Sequence, residues 1–276
     1  MAYILSVNQL KEKLQNQDKL VIVDVRFQLT DEEAGRKMYL RNHLPGAVYL
    51  DLNRDLSAKP GKHGGNHPLP ELNTFIGKLG NIGIDQDTEV VVYDQENDMF
   101  APRLWWFLHH LGHDKVYVLE GGYQRWVQAG YEVTDEIPKL QAKRFVPRIQ
   151  DEGTVTMEEV KENVSSQKAV LIDSREKDRY LGIKEPLYRK AGHIPGAIHY
   201  FWKDVFTEDG KWKMVGEIEK HFQNLDKSQD IIVSCGSGVS ACPNILALKM
   251  AGYKNVKLYP GSFSDWISYD ENEIEL

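Results

Sequence analysis

The sequence predicts an α/β protein built from two tandem copies of one domain, each a mainly parallel sheet with helices on both faces. Three observations lead there. Short β-branched apolar runs alternate with segments of helical periodicity along the whole chain. A set of short blocks occurs twice in the same order. The length, 276 residues, suits two domains of ordinary size.

The elements can be justified in turn. Residues 20–23 (LVIV) form a buried strand that ends at Asp24, Val25 and Arg26. His43, Leu44, Pro45, Gly46 and Ala47 make a turn into a short strand. Residues 53–70 are rich in Gly, Pro, Lys and His and read as a long surface loop. A helix over 72–79, a strand over 90–93, a helix over 102–111 closing at Gly112, a strand over 116–119 and a short helix over 123–128 complete the first copy.

The same order then returns. Residues 170–172 lead to Asp173, Ser174 and Arg175, and His193, Ile194, Pro195, Gly196 and Ala197 repeat the earlier turn. Residues 231–233 match 90–92, and the Gly261 to Trp266 segment matches Gly121 to Trp126. Order, near-constant offset and residue type agree together. The expected layout is residues 1–138 as the first domain, a polar linker over 139–153 and a second domain over 154–276.

Composition narrows the function. Hydrophobic residues make up 41% and charged residues 27%, as in soluble globular proteins. No apolar run approaches the ~20 residues that span a bilayer. The opening segment, MAYILSVNQLKEKLQ, lacks a basic region followed by a long apolar one, so a cytoplasmic protein is expected. The net charge of −7 disfavours nucleic acid and acidic membranes as partners. An anionic substrate would have to be drawn in by a local field. The two cysteines, Cys235 and Cys242, form neither a disulfide framework nor a zinc-site pattern.

Cys235 is the candidate nucleophile. It follows the apolar run at 231–233 and precedes Gly236, Ser237 and Gly238, a permissive turn able to gather backbone N–H groups. A helix starts near Ala241, with Pro243 tolerated in its first turn. A helix N-terminus favours a thiolate. The competing reading, a buried structural cysteine, fits this loop composition less well. Cys242 reads as a small packed residue, with a resolving role as the alternative. The first copy has Asp94 where the second has Cys235, and its loop is acidic and lacks glycine.

Other candidates surround this loop. Arg179 and Arg189 lie in a segment expected over the carboxyl edge of the sheet, where open α/β sheets bind ligands. Their planar forks suit a carboxylate, against the alternative of solvated surface arginines. The Asp173–Arg175 pair and the two His-Pro-Gly turns read as structural. Trp105, Trp106 and Phe107 read as core. His67, in a loop without counterpart in the second copy, is a candidate visitor to the reactive loop.

The loop Cys235, Gly236, Ser237, Gly238, Val239, Ser240, Ala241 resembles the active-site loop of the rhodanese superfamily, and most of all the CGSGVT-Ala loop of its 3-mercaptopyruvate branch. Ser240 replaces the Thr and keeps the hydroxyl. The likeness extends over nearly the whole chain, through the tandem copies, GHIPGA at 192–197 and the Gly261 to Trp266 ending. It implies two rhodanese-like domains, the first non-catalytic.

It also implies Cys235, Ser237 and His67 as catalytic residues. Arg179, Arg189, Gly236, Gly238, Val239 and Ser240 would be substrate-binding. The family's acid aligns best with Asn53, flanked by Asp51 and Asp55. The implied activity moves a sulfane sulfur from a small anionic donor, 3-mercaptopyruvate, through a Cys235 persulfide. The acceptor would be cyanide or a thiol such as thioredoxin. No metal or organic cofactor is implied. Thiosulfate is the alternative donor, and a persulfide carrier without turnover the alternative role. Cysteine-dependent phosphatase or arsenate-reductase chemistry is disfavoured, because Ala241 stands where an arginine would close the loop on a dianion.

Overall fold

The computed structural model describes residues 3–16, 19–149 and 153–276. The chain forms two compact units. One comprises Met1–Ala58, Leu69–Gln150 and Glu208–Trp212, and the other Lys59–Pro68, Asp151–Thr207 and Lys213–Leu276. Of the expected linker, residues 150–152 lie outside the described residues.

In the first unit the chain runs β1 (Ile4–Leu5), α1 (Val7–Asn16), β2 (Leu20–Asp24), α2 (Ala34–Arg41), β3 (Ala47–Tyr49), α3 (Leu72–Asn81), β4 (Glu89–Tyr93), α4 (Phe100–His110), β5 (Val116–Leu119) and α5 (Gly122–Gln128). The sheet order is β1-β5-β4-β2-β3, and every pairing is parallel. Strand side chains alternate between faces. Ile22 and Val91 pack with Leu10 and Trp126, on the side of α1 and α5. Their neighbours turn to the other face, where α4 packs on β4 and β5.

The second unit repeats this plan with α6 (Met157–Ser166), β6 (Val170–Asp173), α7 (Lys177–Tyr180), β7 (Ile198–His199), α8 (Val215–His221), β8 (Ile231–Ser234), α9 (Cys242–Met250), β9 (Val256–Leu258) and α10 (Ser262–Trp266). Its order is β7-β6-β8-β9, again all parallel. A single parallel bridge, Thr154 to Leu258, stands where the first unit has β1. Leu171 and Ile232 pack with Val160 and Trp266, the side of α6 and α10. The opposite face meets α9, which packs on β9. Parallel sheets buried on both faces require continuous apolar strands, and both copies supply them. Among the described residues no helix is long and apolar enough to cross a membrane.

One expectation changes. The loop over 53–70 is not simply a surface loop. Leu52 and Leu56 are buried, and Lys59–Pro68 belongs to the second compact unit. Loops buried this way must satisfy their backbone groups locally. The Asp-x-Arg segment at the end of each first long strand is the expected structural pair, buried and held at two points. Arg175 Nε and Nη2 donate to Asp173 at 3.0 and 2.6 Å, and Nη2 also donates to Gly192 O at 2.7 Å. Arg26 binds Asp24 and Asn42 O in the same way.

Truncating one partner strands the other charge in the core. Arg175→Met should therefore lower stability by about 3–5 kcal/mol. Denaturant unfolding followed by tryptophan fluorescence checks this, and an unchanged midpoint would contradict it.

Candidate active site

β8 ends at Ser234, and Cys235 follows in a turn that leads to α9. The turn needs Gly238. Its φ is +78°, and a side chain there would strike Pro260 O. The Gly238 N–H donates to Cys235 Sγ at 3.1 Å, so a backbone dipole faces the sulfur. Cys235 is 1% exposed. Its N–H donates to Ser262 Oγ at 3.0 Å, and its carbonyl accepts the Phe263 N–H at 3.0 Å. Gly236 O likewise accepts the Ser264 N–H at 2.9 Å. The start of α10 thus holds the loop from behind. Ser262 does this at φ +51°, a left-handed conformation rare outside glycine. The first copy has Gly122 at φ +52° in that place.

Ser237 and His67 meet. His67 Nδ1 lies 2.7 Å from Ser237 Oγ, a hydrogen bond whose direction depends on the imidazole tautomer. The segment that carries His67 is pinned to α10 and its end. The Gly64 N–H donates to Asp265 Oδ1 at 2.7 Å and the Asn66 N–H to Ser264 Oγ at 3.1 Å. His63 Nδ1 lies 2.7 Å from Ser268 Oγ while its ring stacks on Tyr269 at 4.0 Å. Gly65, at φ +79°, passes so close to Gly261 O that a Cβ would lie 2.5 Å from it.

The arginines divide. Arg179 Nε donates to both Glu185 oxygens at 3.1 and 3.0 Å. Its Nη2 lies 3.0 Å from Glu185 Oε1 in the same ion pair. Burial opposes the Arg179 charge, but the hydrogen bonds and charge of Glu185 more than offset it, and the pKa is raised. Glu185 also pairs with Arg175 Nη1 at 3.2 Å. Two arginines and two carboxylates, Asp173 and Glu185, therefore form a buried set with no net charge.

Arg189 does not join that set. Its Nη2 donates to Ile267 O at 2.7 Å and to Asp270 at 2.9 Å, with 59% of the side chain exposed. The carbonyl and the carboxylate together draw it to the C-terminal end of α10. With both partners of the Asp270 pair exposed, this hold is a weak one.

The remaining loop positions fall as follows. Val239 is buried, Ser240 is half-buried, and Val239 O accepts the Cys242 N–H at 3.1 Å. Cys242 is buried in the first turn of α9, and its Sγ donates to Gly238 O at 3.5 Å. Asp51 accepts N–H groups of Asn53 and Arg54, and Asp55 pairs with Lys78 Nζ at 2.6 Å.

Sequence reasoning missed Tyr188, Glu185, Ser262 and Asp265. Tyr188 packs beside Phe263 and under the Arg179 guanidinium, whose Cζ is 5.1 Å from the ring centre. Glu185 sits between Arg179 and Arg189 in sequence, the one signal that could have suggested a shared partner.

In the first copy the same loop position carries a carboxyl group. Asp94 is buried and accepts N–H groups from Asp98 at 3.1 Å and Ala101 at 3.0 Å, capping α4. Its carbonyl accepts the Tyr123 N–H at 2.9 Å, as Cys235 O accepts that of Phe263. Burial, then the nearby Asp98 charge, pushes the Asp94 pKa up to about 7. An unfolded aspartate titrates near ~3.9. Between those values the folded state holds one more proton, so stability falls as pH rises and levels off above about 7. Asp94→Asn should remove that slope. Unfolding curves from pH 4 to 8 check it, and an identical slope in both proteins would contradict it.

Comparison with known proteins agrees with this geometry. The model of the rhodanese-like domain matches twice, over residues 6–129 and 156–269. A probable 3-mercaptopyruvate sulfurtransferase of Pseudomonas aeruginosa is 37% identical over 97% of this chain and 95% of its own. The thiosulfate sulfurtransferase of Rattus norvegicus is 35% identical over 90% of this chain and 84% of its own. The crystal structure of SseA from Escherichia coli, described as a 3-mercaptopyruvate sulfotransferase with the rhodanese fold, superposes with a TM-score of 0.82 at 32% identity. It covers 96% of this chain and all of that one. Two matched domains, a shared fold and full-length relatives place this chain in the rhodanese family.

Proposed function

We propose that this chain is a sulfurtransferase in which Cys235 takes a sulfane sulfur from 3-mercaptopyruvate and passes it to a thiol or to cyanide. The observation that carries this reading is the joint placement of Cys235 Sγ on the Gly238 N–H and of Ser237 on His67. Residues 154–276, with the His67 segment, form the catalytic copy. The first copy, with Asp94 at the nucleophile position, is non-catalytic.

The reaction follows from these groups. The Cys235 thiolate attacks the donor sulfur. An S–S bond forms, the donor's C–S bond breaks, and its electron pair moves into the adjacent carbonyl, releasing pyruvate as an enolate. N–H groups along 236–240 and the Ser237 and Ser240 hydroxyls stabilise that charge, and the Ser237–His67 pair delivers a proton to it. Arg179 is the basic group offered to the donor carboxylate, with Glu185 fixing its guanidinium. An acceptor thiolate, with thioredoxin as the expected kind, or cyanide then attacks the outer sulfur and regenerates Cys235. A reducing cytoplasm fits two buried cysteines that form no disulfide.

Thiosulfate is a second reading, supported by relatives that carry that name. It is weaker on physical grounds. A compact dianion needs fixed positive charge beside the sulfur, and the loop offers none while Glu185 neutralises Arg179.

Three measurements test the reading. Intact-protein mass spectrometry after donor alone should show one added sulfur, and none in Cys235→Ser. Loading in Cys235→Ser with loss in Cys242→Ser would overturn the nucleophile, and no loading of wild type by donor alone would favour a carrier. His67→Ala should lower kcat by about 100-fold with folding intact. Steady-state comparison should favour 3-mercaptopyruvate over thiosulfate at least about tenfold in kcat/KM. A preference for thiosulfate would overturn the donor assignment.

A further inference from the structure

We infer that Tyr188 is a specificity-determining residue, whose phenol fills the space into which a side chain at position 236 would grow. It thereby keeps the loop glycine-bearing and uncharged beside Cys235. A methyl group on Gly236 would lie 2.6 Å from the Tyr188 hydroxyl, and 3.4 and 3.5 Å from ring carbons Cε2 and Cζ. The hydroxyl alone makes the clash severe. The backbone of Gly236 does not require glycine for its own sake, because its φ lies outside the left-handed region. The constraint comes from Tyr188.

Tyr188 cannot simply swing aside. Its ring has the Arg179 guanidinium over it at 5.1 Å and the Phe263 ring, tilted by 57°, at 6.0 Å. Arg179 is held by Glu185, which is held by Arg175, which is fixed to Asp173 at the end of β6. The other neighbour, Phe263, donates its N–H to Cys235 O. Burial and then the Cys235 thiolate charge raise the Tyr188 pKa, so the phenol stays neutral. The nucleophile therefore sits beside a neutral hydroxyl in place of a loop cation. Given the sulfurtransferase reading on which this rests, such a site accepts a monoanionic 2-oxo thiol and disfavours a dianionic donor. A charged residue introduced at 236 alone has no room.

The test is a double-mutant cycle on full-length protein. Gly236→Ala should lower kcat/KM about tenfold and depress Tm by several degrees through overpacking. In a Tyr188→Phe background, where the hydroxyl is gone, the same change should cost less than about twofold. An equal cost in both backgrounds would overturn the steric pairing. Tyr188→Gly combined with Gly236→Arg should raise the thiosulfate to 3-mercaptopyruvate efficiency ratio about tenfold or more, whereas Gly236→Arg alone should not. Coupling in Tm with an unmoved donor ratio would overturn the specificity role. If wild type is loaded by neither donor, the sulfurtransferase reading and the donor role built on it both fail, while the Tm cycle still decides the steric pairing.

Discussion

The catalytic loop depends on one buried cation. Arg175 is 2% exposed and lies under Phe263, whose N–H holds the Cys235 carbonyl. It fixes Asp173 at the end of β6, the His-Pro-Gly turn through Gly192 O, and Glu185, and its guanidinium lies 3.9 Å from the centre of the Phe263 ring. The neighbouring Ser174 donates its N–H to Ser234 O in β8 and accepts from Asn244 Nδ2 in α9. An isolated guanidinium would be expelled from such a place. It persists because two carboxylates and a carbonyl satisfy its donors. The pocket's geometry is thus inherited from an electrostatic problem solved beneath it.

The first copy solves the same problem with Arg26 and Asp24 and then departs at the loop. Where one copy presents a thiol to the gathered N–H groups, the other supplies its own carboxyl, Asp94. A turn of gathered N–H groups that fills itself with an internal carboxyl is a closed structural cap. The same architecture thus accommodates either side chain at this position. The cradle kept its electrostatic complement and changed where that complement comes from.

Much of the fold was legible because strand and helix periods are local properties. Ile231 to Val233, Val90 to Val92 and the doubled His-Pro-Gly turn announce themselves in a short window, and the structure places strands and turns there. Cys235 was legible from its loop composition. His67 was legible only as a histidine without a partner in the repeat. What escaped were residues whose meaning is tertiary. Glu185 looks like an ordinary loop acid until it is seen between Arg175 and Arg179. Tyr188 looks like a surface aromatic until its hydroxyl is seen against Gly236. The surroundings of Arg189 were hidden for the same reason. An arginine's destination depends on which carbonyl and carboxylate compete for it, and Ile267 O and Asp270 come from a helix end far along the chain.

Ser262 carries a different kind of consequence. Its left-handed backbone costs on the order of 1 kcal/mol relative to the glycine used at Gly122. The hydroxyl that serine brings accepts the Cys235 N–H and donates to Tyr259 O. Glycine would relax the backbone there, but it would leave the Cys235 N–H and the Tyr259 carbonyl without their partner, at a cost of about 1–3 kcal/mol for each buried group. The strained conformation is thus outweighed by the hydrogen bonds it makes possible. A local irregularity of the backbone is here the means by which two distant loops are kept in register.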